Sequence, residues 1–117
     1  MLVKKTESQL KSIEDELVNG VLAYNDINVK KIILYGSYAR GDSDEESDID
    51  IMVLCDNDPD ELRKFEHNIS VHMASELSLK HDVCVSLYLK DSKTFEKWVN
   101  VLPYYRNINN EGVVIYG

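Results

Sequence analysis

Basic residues are the first thing this chain is short of. It carries 13 Lys and Arg against 21 Asp and Glu, a formal net charge of -8. The positive side chains stand singly or in pairs (Lys4-Lys5, Lys30-Lys31, Arg63-Lys64). General nucleic-acid binding needs a basic stripe, so that class is excluded. No apolar run approaches the 18 residues of a membrane span. The start, Met1-Leu2-Val3-Lys4-Lys5, lacks the apolar stretch of a secretory signal. Without secretion, the glycosylation-like Asn68-Ile69-Ser70 carries no meaning. Two cysteines, Cys55 and Cys84, are too few for a disulfide scaffold. Both fall in expected strands and read as reduced core thiols of a cytoplasmic protein. His67, His72 and His81 have no zinc-ligand spacing with either cysteine. Repeats, low-complexity segments and linkers are absent too. At 117 residues and 44% hydrophobic, the chain is expected to be one folded domain over residues 1–117.

What is present is an alternation of helical and strand patterns. Residues 6–24 read as a helix, with a capping box at Thr6 and Gln9 and a stripe of Leu10, Ile13, Leu17, Val21 and Tyr24. Gly20 weakens it locally. A strand follows at about 30–35, then a short helical turn over 37–41 and a polar loop from Asp42 to Ser47. A second strand covers about 48–55. Asp58 and Pro59 open a long helix, in which Leu62, Phe65, Ile69, Met73 and Leu77 form the buried stripe. Asp82 to Leu89 is the third strand. A helix over about 92–102 should turn Phe95, Trp98, Val99 and Leu102 inward. Pro103 interrupts it, a short irregular or helical piece spans 104–110, and Val113 to Tyr116 is a last strand. This pattern predicts an α/β domain: a mixed sheet with helices packed on one face, the other face at least partly open.

The chemistry concentrates in residues 36–50. Gly36-Ser37 follows the apolar run Lys31 to Tyr35, and ten residues later Asp48-Ile49-Asp50 opens the next run. In a strand, residues i and i+2 share a face, so Asp48 and Asp50 project side by side. Adjacent carboxylates repel unless a cation sits between them, and a hard, oxygen-seeking divalent ion such as magnesium suits them. A glycine turn beside them offers backbone N–H groups to phosphate. Together these features point to phosphoryl chemistry on a metal-bound nucleotide. Two readings of Arg40 stand: contact with phosphate or substrate, or pairing with a nearby acid to brace the loop. The run Asp42, Asp44, Glu45, Glu46 reads as a solvated loop. Ser37 reads equally as an N-cap of the short helix, His81 as a capping or surface residue or as one that orients the following Asp82, and Trp98, Tyr104 and Tyr105 as packing rather than a base-stacking platform.

Gly36-Ser37, ten residues, then Asp48-Ile49-Asp50 resembles the signature of the minimal nucleotidyltransferases of the polymerase-beta superfamily. The flanking Leu34 to Gly41, Ser47 to Val53 and Asn109 to Tyr116 are similar as well, so the resemblance covers about residues 30–117. It implies a polymerase-beta-like core in which Asp48, Asp50 and a third acid, matched by Asp82, hold two magnesium ions. It also implies that Gly36 and Ser37 hold the β- and γ-phosphates, with ATP as the default donor; Arg40 stands beside them as a nucleotide-binding candidate. Larger members carry an added helical domain for the acceptor. The absence of one here implies an acceptor surface from another chain, as a homo- or hetero-oligomer. Minimal members are often antitoxin partners of small helical toxins of the HEPN type, and some adenylylate a tyrosine of that toxin. The expected function is therefore AMP transfer to such a tyrosine. The alternatives are an antitoxin acting by occupancy without catalysis, and a small-molecule, antibiotic-type nucleotidyltransferase.

Overall fold

A computed structural model describes residues 5–117; Met1 to Lys4, part of the N-terminal stretch considered above, lie outside the described residues. The elements are α1 (Glu7–Leu22), β1 (Val29–Tyr35), α2 (Ser37–Arg40), β2 (Ile49–Cys55), α3 (Pro59–His81), β3 (Val85–Asp91), α4 (Ser92–Trp98), α5 (Pro103–Glu111) and β4 (Val113–Tyr116). They build one four-stranded sheet in the order β3-β2-β1-β4. β1 runs antiparallel to both β2 and β4, while β2 and β3 are parallel. The parallel pair is possible because the long helix α3 carries the chain back across the sheet. The sheet is therefore mixed, as expected.

Alternation along the strands decides what each face does. Ile32 and Leu34, Ile49, Ile51 and Val53, and Val85, Leu87 and Leu89 all point to one face. There they meet Ile13, Leu17 and Val21 of α1 and Leu62, Ile69, Met73 and Leu77 of α3. These are the two stripes read from the sequence. The capping box is formed, with Gln9 N donating to Thr6 Oγ1 at 3.1 Å and Thr6 N donating to Gln9 Oε1 at 2.9 Å. Gly20, costly inside a helix, has a reason: a Cβ there would lie 2.4 Å from Cε of Met73, so its absence lets α3 seat against α1.

The opposite face is divided. Ile33, Met52 and Leu54 pack under Phe95 of α4 and Ile108 of α5, with Tyr35, Val99 and Tyr105 at the margin. The short helices thus cover one part of this face and leave the end carrying Asp48 and Asp50 uncovered. Two side chains expected inward are not: Trp98 and Leu102 are 38% and 41% exposed. α4 stops at Trp98, and the amides of Val101 and Leu102 both return to its carbonyl in a turn. Pro103, fixed in φ and lacking an N–H, then starts α5 instead of extending α4.

Candidate active site

The site begins at a backbone irregularity. Gly36, between β1 and α2, has φ 77° and ψ -158°, a region open in practice only to glycine. A Cβ built there would lie 2.4 Å from Oδ2 of Asp50. The glycine turn and the second acid of the pair are therefore in direct contact. Strand register explains why: Tyr35 is the antiparallel partner of Asp50, so the chain leaves β1 beside that carboxylate. Gly36, not Ser37, is the N-cap of α2, and Ser37 is its first residue. The carbonyl of Gly36 accepts from Ala39 and Arg40, while a helix leaves its first amides, here those of Ser37 and Tyr38, without an intrahelical acceptor. Gly41 closes the turn in the left-handed region, φ 82°.

The two acids are not equivalent. Asp50 lies inside β2 and is half-buried; Asp48 precedes the strand and is exposed. Burial, and then the neighbouring Asp48 charge, raise the Asp50 carboxyl above its ordinary value, with Arg40 pulling the other way. The parallel ladder extends one residue ahead of β3, with Ile49 N donating to the Cys84 carbonyl at 2.8 Å, and it pairs Asp50 with Ser86. Cys84 therefore stands next to Asp48, exposed, and its thiol is raised by partial burial and then by the Asp48 charge. Cys84 is thus no core thiol. Cys55 is one: it is buried in β2, where burial pushes its thiol up to about 12.

Asp82 has a different place from the one expected. It is the C-cap of α3, exposed and left-handed at φ 52° and ψ 51°, its N–H donating to Ser78, and β3 begins only at Val85. Among the described residues no group of three or more His, Cys, Asp or Glu is arranged to hold a metal ion. The structure brings Gly36, Ser37 and Asp50 together with Asp48 at the strand mouth, and does not gather Asp82 with them into one ligand cluster. His81 bonds to Glu16 Oε2 at 3.0 Å and is not directed at Asp82.

Arg40 shows its bracing contacts: Nε to Asp42 Oδ2 at 3.2 Å and a guanidinium nitrogen to Glu111 Oε2 at 3.6 Å. It also lines a cavity of about 240 Å³ with Tyr35, Gly36, Tyr104, Asn107 and Glu111. The acidic run is a loop that bonds to itself, Asp44 N to Ser47 Oγ at 2.9 Å and Glu46 N to Asp44 Oδ1 at 2.9 Å.

The chain matches the family described as "Polymerase beta, Nucleotidyltransferase" over residues 16–117. The chain belongs to this family. It is a nucleotidyltransferase. It is 38% identical over 101 residues to a Methanocaldococcus jannaschii protein named as a candidate protein adenylyltransferase, spanning 86% of this chain and 92% of that one. Its fold is similar to that of a toxin–antitoxin structure with AMP-PNP (TM-score 0.57, 20% identity, 89% of this chain and 73% of that one). It is similar too to a Shewanella oneidensis MNT antitoxin in complex with its tri-AMPylated HEPN toxin (TM-score 0.54, 18% identity, 92% and 71%). At those identities the solved structures bear on fold alone.

Sequence reasoning passed over the cavity side of this nucleotidyltransferase. Tyr104 is 51% exposed beside the site instead of packed away. The missed signal was the antiparallel pairing of β1 with β2, which places Tyr35 against Asp50, and the Pro103 start of α5, which places Tyr104 against Tyr35.

Proposed function

We propose that this nucleotidyltransferase transfers AMP from magnesium-bound ATP to a hydroxyl of a protein partner, a tyrosine of a HEPN-type toxin, and so acts as an antitoxin in the cytoplasm. The observation that carries the transfer is the contact between the Gly36 turn and the Asp50 carboxylate: the phosphate-binding backbone and the acids are one unit. The donor set fits magnesium, which takes one or two protein carboxylates and completes its shell with phosphate oxygens and water. Asp48 and Asp50 would hold it, and Asp82 at the end of α3 would lie outside that shell. Bound there, magnesium supplies neutralisation of the triphosphate and of the charge that develops in transfer.

The remaining work falls to the chain itself. Amides of Ser37 and Tyr38 donate to the β- and γ-phosphate oxygens, which orients the α-phosphorus toward the open end of the sheet. The acceptor oxygen attacks the α-phosphorus, the bond to the bridging oxygen breaks, and pyrophosphate leaves along Gly36-Ser37. The phenolic proton passes to a carboxylate or to water. AMP adds negative charge and bulk to a target that must bind anionic RNA, which opposes that binding. Support for a protein acceptor comes from the named activity of the M. jannaschii relative and from the AMPylated toxin held by the Shewanella antitoxin.

The displaced Asp82 favours one second reading, inhibition by occupancy with weak or no catalysis. Co-expressing the toxin partner with wild type and with the Asp48→Asn, Asp50→Asn double variant separates the two. Protection that needs the acids, together with a partner that gains the mass of AMP, supports transfer. Equal protection by the double variant with no gain in mass refutes it.

A further inference from the structure

We propose that the cavity between β1 and α5 receives the base of the nucleotide donor, with Tyr104 as its stacking surface and Asn107 as the residue that selects adenine. This rests on the transfer reading and adds to it the part of the site that recognises the nucleoside.

Position comes first. Gly36 lines the cavity and also abuts the Asp50 carboxylate, and Tyr35, another lining residue, is Asp50's partner across the strands. A nucleotide with its α-phosphate at the acids and its β- and γ-phosphates at the α2 amides has its nucleoside next to this opening. Size agrees: about 240 Å³ lies below the roughly 300–1,000 Å³ of drug-sized pockets and suits a base with part of its sugar.

Charge argues for a base and against a phosphate. Arg40 is the only cationic side chain among the lining residues, and it is already engaged by Asp42 and Glu111. A further anion would meet little free positive charge there, while a neutral aromatic ring meets none of that penalty.

Tyr104 supplies the ring. It is half exposed, yet its orientation is fixed. Its hydroxyl is 3.0 Å from that of Tyr35, the edge-on Tyr35 ring lies 6.2 Å away at 83°, and Tyr105 lies 5.7 Å away at 61°. Tyr105 is in turn set against Phe95 at 5.2 Å. An exposed aromatic held on several sides stacks a ligand without losing rotamer freedom on binding. Burial, and then the bond to Tyr104, hold the Tyr35 phenol well above its ordinary value. Asn107, one turn further along α5, offers an amide with donor and acceptor side by side. Adenine presents the complement, N6–H and N7; guanine presents two acceptors on that edge.

The test is calorimetry on the full chain with magnesium present, using ATP, GTP and inorganic tripolyphosphate, which carries the phosphates without a nucleoside. Wild type should bind ATP more tightly than tripolyphosphate. Tyr104→Leu should lose roughly 5–150-fold of ATP affinity, the worth of one base stack, and keep its affinity for tripolyphosphate. Tyr104→Phe, which keeps the ring and removes the hydroxyl link, should retain most of the ATP affinity. Asn107→Ala should narrow the preference for ATP over GTP. Retained tripolyphosphate binding reports that each variant still has a folded phosphate site. If wild type binds ATP and tripolyphosphate equally, or if both variants match wild type on ATP or lose the two ligands in parallel, the cavity assignment is wrong while the transfer reading stands. If wild type binds neither ligand, the transfer reading fails and takes the cavity with it.

Discussion

Replacing Gly36 by alanine tests the contact on which the site depends. Two costs follow from its geometry. At φ 77° and ψ -158° the backbone sits where an L side chain is strained by about 1–3 kcal/mol. The new methyl would also lie 2.4 Å from Asp50 Oδ2, well inside van der Waals contact, so carboxylate or turn must move. Asp50 is short and anchored in a central strand, so the turn cannot relax without disturbing the acid. Together these give a destabilisation of about 2–4 kcal/mol, short of unfolding a domain of ordinary stability. A displacement near 1 Å at a reacting centre costs on the order of 100-fold in rate. Gly41→Ala is the matched control. Gly41 also has a positive φ, 82°, but its Cβ would meet nothing within 4 Å. It should cost only the left-handed strain, about 1–2 kcal/mol, and leave magnesium-ATP affinity and transfer near wild type. Urea unfolding measures the stabilities, calorimetry and partner AMPylation the function. If Gly36→Ala and Gly41→Ala prove alike in both stability and ATP affinity, the contact between turn and acid does not organise the site.

Asp50→Asn should abolish transfer yet stabilise the metal-free protein at neutral pH, by less than about 1 kcal/mol because the group is only partly buried. The sign follows from its raised carboxyl. The folded state holds the proton more tightly than the unfolded one, so the penalty is absent below the ordinary carboxylate range and full above the raised value. Wild type should therefore gain on the variant as pH falls through that window, read from urea midpoints without metal; a wild type more stable than the variant at pH 7 would contradict this. Cys84, raised by partial burial and by Asp48, should be alkylated by iodoacetamide at pH 8 more slowly than a free thiol, and faster in Asp48→Asn, while buried Cys55 stays unmodified in the native protein. Equal rates in wild type and Asp48→Asn would separate Cys84 from the acid pair.

The long helices and the order of strands were legible because their signals are local. The Thr6–Gln9 box, the Asp58-Pro59 start and the i, i+3, i+4 stripes of α1 and α3 each need only a few neighbouring residues. Asp82 was misplaced because a strand start and a helix C-cap look alike in sequence: both accept a polar residue before Val83-Cys84-Val85. Only the left-handed turn, which Asp tolerates better than most residues, separates them. Trp98 and Leu102 failed for a related reason. Their spacing suits one helix, but Pro103 and the turn before it divide the segment. Cys84 gained its position from the pairing of β2 with β3, and Tyr104 from the packing of α5 against Tyr35 of β1, contacts between segments far apart in sequence that no local pattern encodes.

The second face of the sheet explains how so small a fold has room for both a site and a core. Along β2 the residues of that face run Asp50, Met52, Leu54, from charged to apolar within one strand. Phe95 and Ile108 cover the apolar part, and the same α5 that contributes Ile108 sends Tyr104 and Asn107 back toward the charged part. Had α4 continued through Leu102 as its pattern suggests, Tyr104 would have no reason to sit against Tyr35, and the cavity beside Gly36 would lose its far wall. The proline break that confounded the sequence reading is thus the feature that places an aromatic ring in the cavity beside Gly36. A prediction follows from that logic alone. Pro103→Ala should lengthen helix across residues 99–103 at the expense of the turn, raise helical content by circular dichroism, and weaken ATP binding while sparing tripolyphosphate. Unchanged ATP affinity in a variant with measurably more helix would show that the break does not position Tyr104.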